Sequence, residues 1–164
     1  MTIEEVKDEL KGYEHDYKMI EGIENQVEIY KSKLTSCTSE LSATPKGDSG
    51  LRDKMGEYIA RLQELEILKY TRLIELENKK ELIEETVSKL KQPYRRILFL
   101  TYIEEWQHQN DEGTEITEIG YGLPVAAKIM DFEYKYFCKL HGRALLEYMK
   151  VRENDATHET SKKR

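Results

Sequence analysis

Few residues in this chain can interrupt a helix: three prolines and nine glycines in 164 residues. That scarcity argues against a turn-rich β-sandwich or a low-complexity linker protein. Apolar residues make up only 38% of the chain, too few for a thick globular core but enough for thin seams between helices. No run approaches the eighteen or so uncharged apolar residues that a membrane span needs. The N-terminus, Met1-Thr2-Ile3-Glu4-Glu5, is acidic where a signal peptide would be basic. Two cysteines, Cys37 and Cys138, lie far apart with no metal-ligand neighbour, and read as reduced thiols of a cytoplasmic protein. There is no phosphate-binding glycine loop and no nucleophile elbow.

Charge is abundant, at 35% of residues, and unevenly placed. Residues 1–90 hold 14 Lys and Arg against 20 Asp and Glu, whereas residues 91–152 hold nine of each. The net charge of -6 therefore belongs to the first half. A nucleic-acid site would have to be a local basic stripe.

The first segment has a helical rhythm. Ile3, Val6, Leu10, Tyr13, Tyr17, Ile20, Ile23, Val27, Tyr30, Leu34, Cys37 and Leu41 recur in alternating steps of three and four. Such steps put all of them on one helix face. One doubled step of three, at Ile20–Ile23, is a stammer in the heptad pattern. Residues 42–50 contain Pro45, Gly47, Asp48 and Gly50 and read as a turn. A second helix is expected over residues 51–91, with Met55, Tyr58, Leu62, Leu65, Leu68, Leu73, Leu76, Ile83, Val87 and Leu90 as its apolar positions. Two long helices joined by a short turn predict an antiparallel hairpin over residues 1–91.

Beyond Pro93 the expected order is a helix at 94–106, a loop at 107–122, a short helix at 124–130 and a longer one from 133 to about 153. The loop leaves room for a short strand or turn at 114–119, and Trp106 is expected as a core anchor. Residues 153–164 are expected to be a disordered tail. Residues 92–152 thus read as a helix-turn-helix domain, its turn at Asp131-Phe132. On the last helix Lys135, Lys139 and Arg143 recur every four residues and form one stripe. Phe137, Leu140, Ala144 and Leu145 would face the core. The expected fold class is all-α: a long coiled-coil-like hairpin followed by a small helix-turn-helix domain.

A recognition helix needs this layout. Lys and Arg reach guanine acceptors or phosphates, and a tyrosine packs on a thymine methyl or bonds a phosphate. The candidate DNA-contacting residues are Tyr134, Lys135, Tyr136, Cys138, Lys139, His141 and Arg143. The plainer reading of such a stripe is a solvated helix face. No nucleophile accompanies His141, and His15, His108 and His158 stand alone in polar surroundings. The chain is therefore not expected to be an enzyme, and no catalytic residue, metal site or cofactor is expected.

The same stretch resembles a family of phage and prophage regulatory proteins. Its members have an N-terminal helical hairpin and a C-terminal helix-turn-helix like region 4 of sigma factors. The resemblance rests on Ala126-Ala127, the Asp131-Phe132 turn, and the closing Leu140-His141-Gly142-Arg143-Ala144-Leu145. It extends upstream to Leu100-Thr101-Tyr102-Ile103, to Gly47-Asp48-Ser49 and to Asp53-Lys54-Met55, covering about residues 17–150. Three features depart from the family pattern: the extra residues around 107–121, Pro124 in place of an acidic residue, and Glu133 in place of a small cap. The resemblance implies a DNA-binding transcription regulator. Double-stranded DNA and RNA polymerase or another host protein are the expected partners, with the hairpin serving dimerisation or polymerase contact. The rival reading is a protein-binding inhibitor or adaptor of a host or defence protein, built on a diverged helix-turn-helix with an acidic hairpin. A DNA-packaging ring subunit is a third.

Overall fold

In a computed structural model the described residues are 1–43 and 49–162. They form α1 (Ile3–Ala43), α2 (Ser49–Ser88), α3 (Tyr94–Tyr102), β1 (Glu105–Gln109), β2 (Glu115–Ile119), α4 (Leu123–Ile129) and α5 (Tyr134–Lys162). The fold is mostly helical with one two-stranded sheet, so the expected all-α class holds broadly and needs that amendment. Of the expected turn at 42–50, residues 44–48 lie outside the described residues.

The chain divides into two compact units. One comprises residues 16–77, the other residues 1–15 together with 78–164. In the first, the contacts between α1 and α2 run in opposite chain directions. Glu24 pairs with Lys69 at 2.7 Å, and Tyr30 meets Tyr58 edge-on at 5.9 Å. Ile23, Val27 and Leu65 are the buried centre, with Tyr30 and Leu62 packed on it. Every described member of the α1 apolar series is buried or half-buried, as its spacing predicts. On α2 the match is looser. Leu68 is 42% exposed, and Ile67, Tyr70 and Ile74 form an outward stripe with more than half of each side chain in solvent.

The second unit opens with a capping box. The Thr2 amide donates to the Glu5 carboxylate at 2.6 Å, and the Glu5 amide donates to the Thr2 hydroxyl at 3.2 Å. Two otherwise orphaned donors of α1 are thereby satisfied, and these bonds hold the Glu5 carboxyl below its usual range. The core of this unit is built from Val6 and Leu10 of α1, Ile83 and Val87 of α2, Ile97 and Leu98 of α3, and Phe137 and Leu145 of α5. Tyr148 is fully buried. Its hydroxyl donates to Glu9 at 2.9 Å, and Arg152 pairs with the same carboxylate at 3.2 Å.

Four expectations are corrected. Helix α3 ends at Tyr102 rather than 106, because the next residues enter a β-hairpin. The segment read as a loop at 107–122 carries most of β1 and, where room for a short strand was expected at 114–119, β2; the two pair antiparallel with Trp106 opposite Glu118 and His108 opposite Ile116. Asn110 closes its turn. Its side-chain oxygen accepts from the amides of Glu112 and Thr114, and Gly113 takes a positive φ of 76°. A turn ending in a left-handed glycine is a standard three-residue hairpin connection. Trp106 is consequently a hairpin residue and not a deep core anchor. It is half-buried and stacked between His108 and Tyr121, at 4.7 and 5.2 Å between ring centres. Finally, α5 continues to Lys162 where a disordered tail from 153 was expected. Lys89–Asp155 and Met1–Glu153 ion pairs tie down residues 153–155 of it.

Candidate nucleic-acid interface

Helix α4 begins where proline is harmless. Pro124 occupies the first turn, whose amides need no intrahelical partner. Ala126 and Ala127 face inward and are buried, which leaves Val125, Lys128 and Ile129 in solvent. The helix is stopped by a Schellman arrangement. The Phe132 amide donates to the Ala127 carbonyl at 2.9 Å, and the Asp131 amide donates to the Lys128 carbonyl at 3.1 Å. Asp131 sits at φ 55°, the left-handed position that glycine prefers there. Asp131→Gly is therefore expected to stabilise the fold by about 0.5–1 kcal/mol, and Asp131→Val to destabilise it, as thermal midpoints would record.

Helix α5 has a regular inner face. Phe137, Leu140, His141, Ala144, Leu145 and Tyr148 are all buried, at steps of three and one. The outer face carries Lys135, Lys139 and Arg143, all exposed, at about 6 Å intervals along the axis. Elsewhere many surface cations are already engaged: Lys31 with Glu28, Lys69 with Glu24, Arg72 with Glu75, Lys89 with Glu85, Lys150 with Glu147. Lys128, Lys135, Lys139 and Arg143 have no such partner among the described residues. A cation without a carboxylate partner meets a phosphate without first breaking an ion pair. Two exposed acids, Asp131 and Glu133, flank the start of the stripe and lower its local potential.

Of the sequence-predicted site residues, Tyr134, Lys135, Tyr136, Lys139 and Arg143 lie in solvent and on α5 together. Cys138 is half-buried, and its thiol interacts with the Tyr134 phenol and pushes that phenol up. His141 does not belong with them. It is buried, and its Nε2 is 3.0 Å from the Tyr102 hydroxyl, so it packs α5 against α3 instead of reaching outward. Sequence reasoning missed Lys128, Val125 and Ile129. The signal was available, since Ala126-Ala127 turned inward forces those three outward at helical spacing.

The His141 ring is held neutral, pushed down to about 4 chiefly by burial and secondarily by Lys7. Burial likewise pushes the Tyr102 phenol up to about 12. An unfolded chain protonates this histidine near 6.5, whereas the folded one does not until about 4. The unfolded state thus binds more protons between those values, so stability is complete above pH 6.5 and is lost as pH falls toward 4. The loss expected from this residue is roughly 2 kcal/mol. His141→Gln, which keeps a partner for Tyr102, should flatten that part of a urea-midpoint profile against pH.

Among the described residues no group of three or more His, Cys, Asp or Glu side chains is placed to hold a metal ion, and no helix is long and apolar enough to cross a membrane. Comparison with protein-family models, curated proteins and solved structures gives no match.

Proposed function

We propose that this chain is a DNA-binding transcription regulator of the phage type. In this reading α4 and α5 act as a helix-turn-helix, with α5 laid against the duplex. Lys135, Lys139 and Arg143 contact phosphates or guanine edges, and Tyr134 and Tyr136 pack beside them. The observation that carries the reading is the set of exposed cations on α4 and α5 that pair with no carboxylate among the described residues. The four-residue connection from Met130 to Glu133, tightened by its left-handed Asp131, adds the short link such a motif requires. The long paired helices α1 and α2 serve as a hairpin for self-association or for contact with RNA polymerase. The outward stripe Ile67, Tyr70 and Ile74, at steps of three and four, supports a homodimer. No catalytic step is assigned.

The test is fluorescence anisotropy with labelled duplexes from the gene's own neighbourhood, over a range of salt. Binding that weakens linearly with log salt supports the reading. Absence of binding to every duplex at low salt removes it.

A second reading, a protein-binding adaptor or inhibitor, is favoured by one observation. Val125 and Ile129, with nearly half of each side chain exposed, place apolar surface beside Lys128 on α4. If that face docks a protein, Val125→Ser with Ile129→Ser abolishes the function in cells while leaving DNA affinity unchanged. If it docks DNA, the same pair lowers DNA affinity and the function in cells together.

A further inference from the structure

A cleft in the second unit lies away from the solvent face of α5. It has a volume of about 560 Å³, the size of a small-molecule site. Its wall gathers five elements. Lys7 and Lys11 come from α1, Tyr102 from α3, Ile119 from β2, Leu123 from α4 and His141 from α5. Tyr121 also lines it, in the segment between β2 and α4.

The polar groups are arranged asymmetrically. Lys7 and Lys11 are one helical turn apart, so their ammonium groups can reach one ligand group together. Among the described residues Lys7 has a long contact to Glu4, at 3.9 Å, and no tighter ion pair. Lys7 and His141 line the same cleft, and the Lys7 charge adds to the burial that keeps the His141 ring neutral. Glu14 and Glu118 also line the cleft, but Glu14 has a partner of its own. The Tyr102–His141 pair supplies a buried polar floor. Tyr121, Ile119 and Leu123 supply apolar surface. A pocket with apolar walls and a few convergent polar groups has the composition of a ligand site.

We propose that this cleft binds a small organic anion: a carboxylate or phosphate ester on a compact apolar body. Lys7 and Lys11 hold the charged end, while Tyr121, Ile119 and Leu123 cover the body. The proposal is independent of whether α5 binds DNA. The carboxylate and phosphate sources share one chemistry, an anionic head against two ammonium groups.

The experiment is an NMR titration of the full chain observing the His141 ring, with salicylate and adenosine monophosphate as anionic probes. Benzyl alcohol and adenosine are their neutral counterparts. The expected result is a saturable His141 shift with one or both anions at millimolar concentration or below, and which anion acts identifies the head group. Lys7→Gln with Lys11→Gln should weaken binding at least about tenfold, and Lys7→Arg with Lys11→Arg should retain it. Unfolding midpoints establish that the double Gln variant is folded. Lys135→Ala with Lys139→Ala and Arg143→Ala should bind the anion as the unmodified chain does. Four results would overturn the proposal: no shift with either anion, equal shifts with the neutral compounds, full affinity in the folded double Gln variant, or loss of binding in the α5 triple variant.

Discussion

Replacing Lys135, Lys139 and Arg143 together by alanine is expected to lower affinity for duplex DNA about a hundredfold. Each side chain, exposed and without a carboxylate partner among the described residues, would contribute about 1 kcal/mol as a charged donor to phosphate or base. The three together come to about 3 kcal/mol, which is two orders of magnitude in affinity. The salt dependence carries more information than the affinity. Each lost phosphate contact releases about one fewer counterion, so the slope of log affinity against log salt should become shallower by up to about three. Folding should be unaffected, because all three positions face solvent on a helix and alanine is the best helix former. An unchanged slope in the triple variant would detach α5 from the duplex. Asp131→Gly offers a control of opposite sign, because it deletes an anion near the stripe and should tighten binding.

The largest effect on stability is expected at Gly120. Its φ is 71°, and an added Cβ would fall on the carbonyl oxygen of Thr101 and lie 2.8 Å from the carbonyl carbon. Neither obstacle can move cheaply, because both are backbone at the end of α3. The surrounding bonds hold the glycine in place. Its amide donates to the Glu104 carbonyl at 2.9 Å, the Tyr121 amide donates to the Leu100 carbonyl at 2.8 Å, and the Trp106 indole donates to the Gly120 carbonyl at 3.0 Å. Gly120→Ala combines a left-handed backbone penalty with a backbone overlap, together about 3 kcal/mol or more. Trp106 is the single tryptophan and sits on that glycine, so its fluorescence in a urea titration reports the loss directly. Gly22→Ala provides the contrast. Nothing lies within 4 Å of its Cβ and it is inside α1, so it should stabilise by about 0.5–1 kcal/mol. If Gly120→Ala matched the stability of the unmodified chain, the docking of the hairpin on α3 would be wrong.

Legibility differed between elements for identifiable reasons. The α1 seam could be read residue by residue, because a one-faced helix writes its burial into a period of three and four. The β-hairpin was mostly missed. Its strands are five residues each and carry mostly polar residues, as in Glu105-Trp106-Gln107-His108-Gln109. With so few apolar residues the period-two signal is faint, although Asn110 and Gly113 at the turn were available as clues. His141 was misplaced for another reason. A histidine beside a basic stripe suits a phosphate, and only the neighbouring Tyr102, 39 positions earlier, shows that it points inward.

Helical period, the Asp131-Phe132 stop and the spacing of Lys135, Lys139 and Arg143 were determined by the amino-acid order alone, because they depend on residues within a few positions of one another. Contacts between distant segments were decided only in three dimensions. They made Gly120 obligatory beneath α3, turned His141 inward, and brought Lys7 and Lys11 of the first helix to a cleft shared with the last. Local backbone chemistry acts over one or two turns of chain, whereas burial depends on which surface comes to lie opposite.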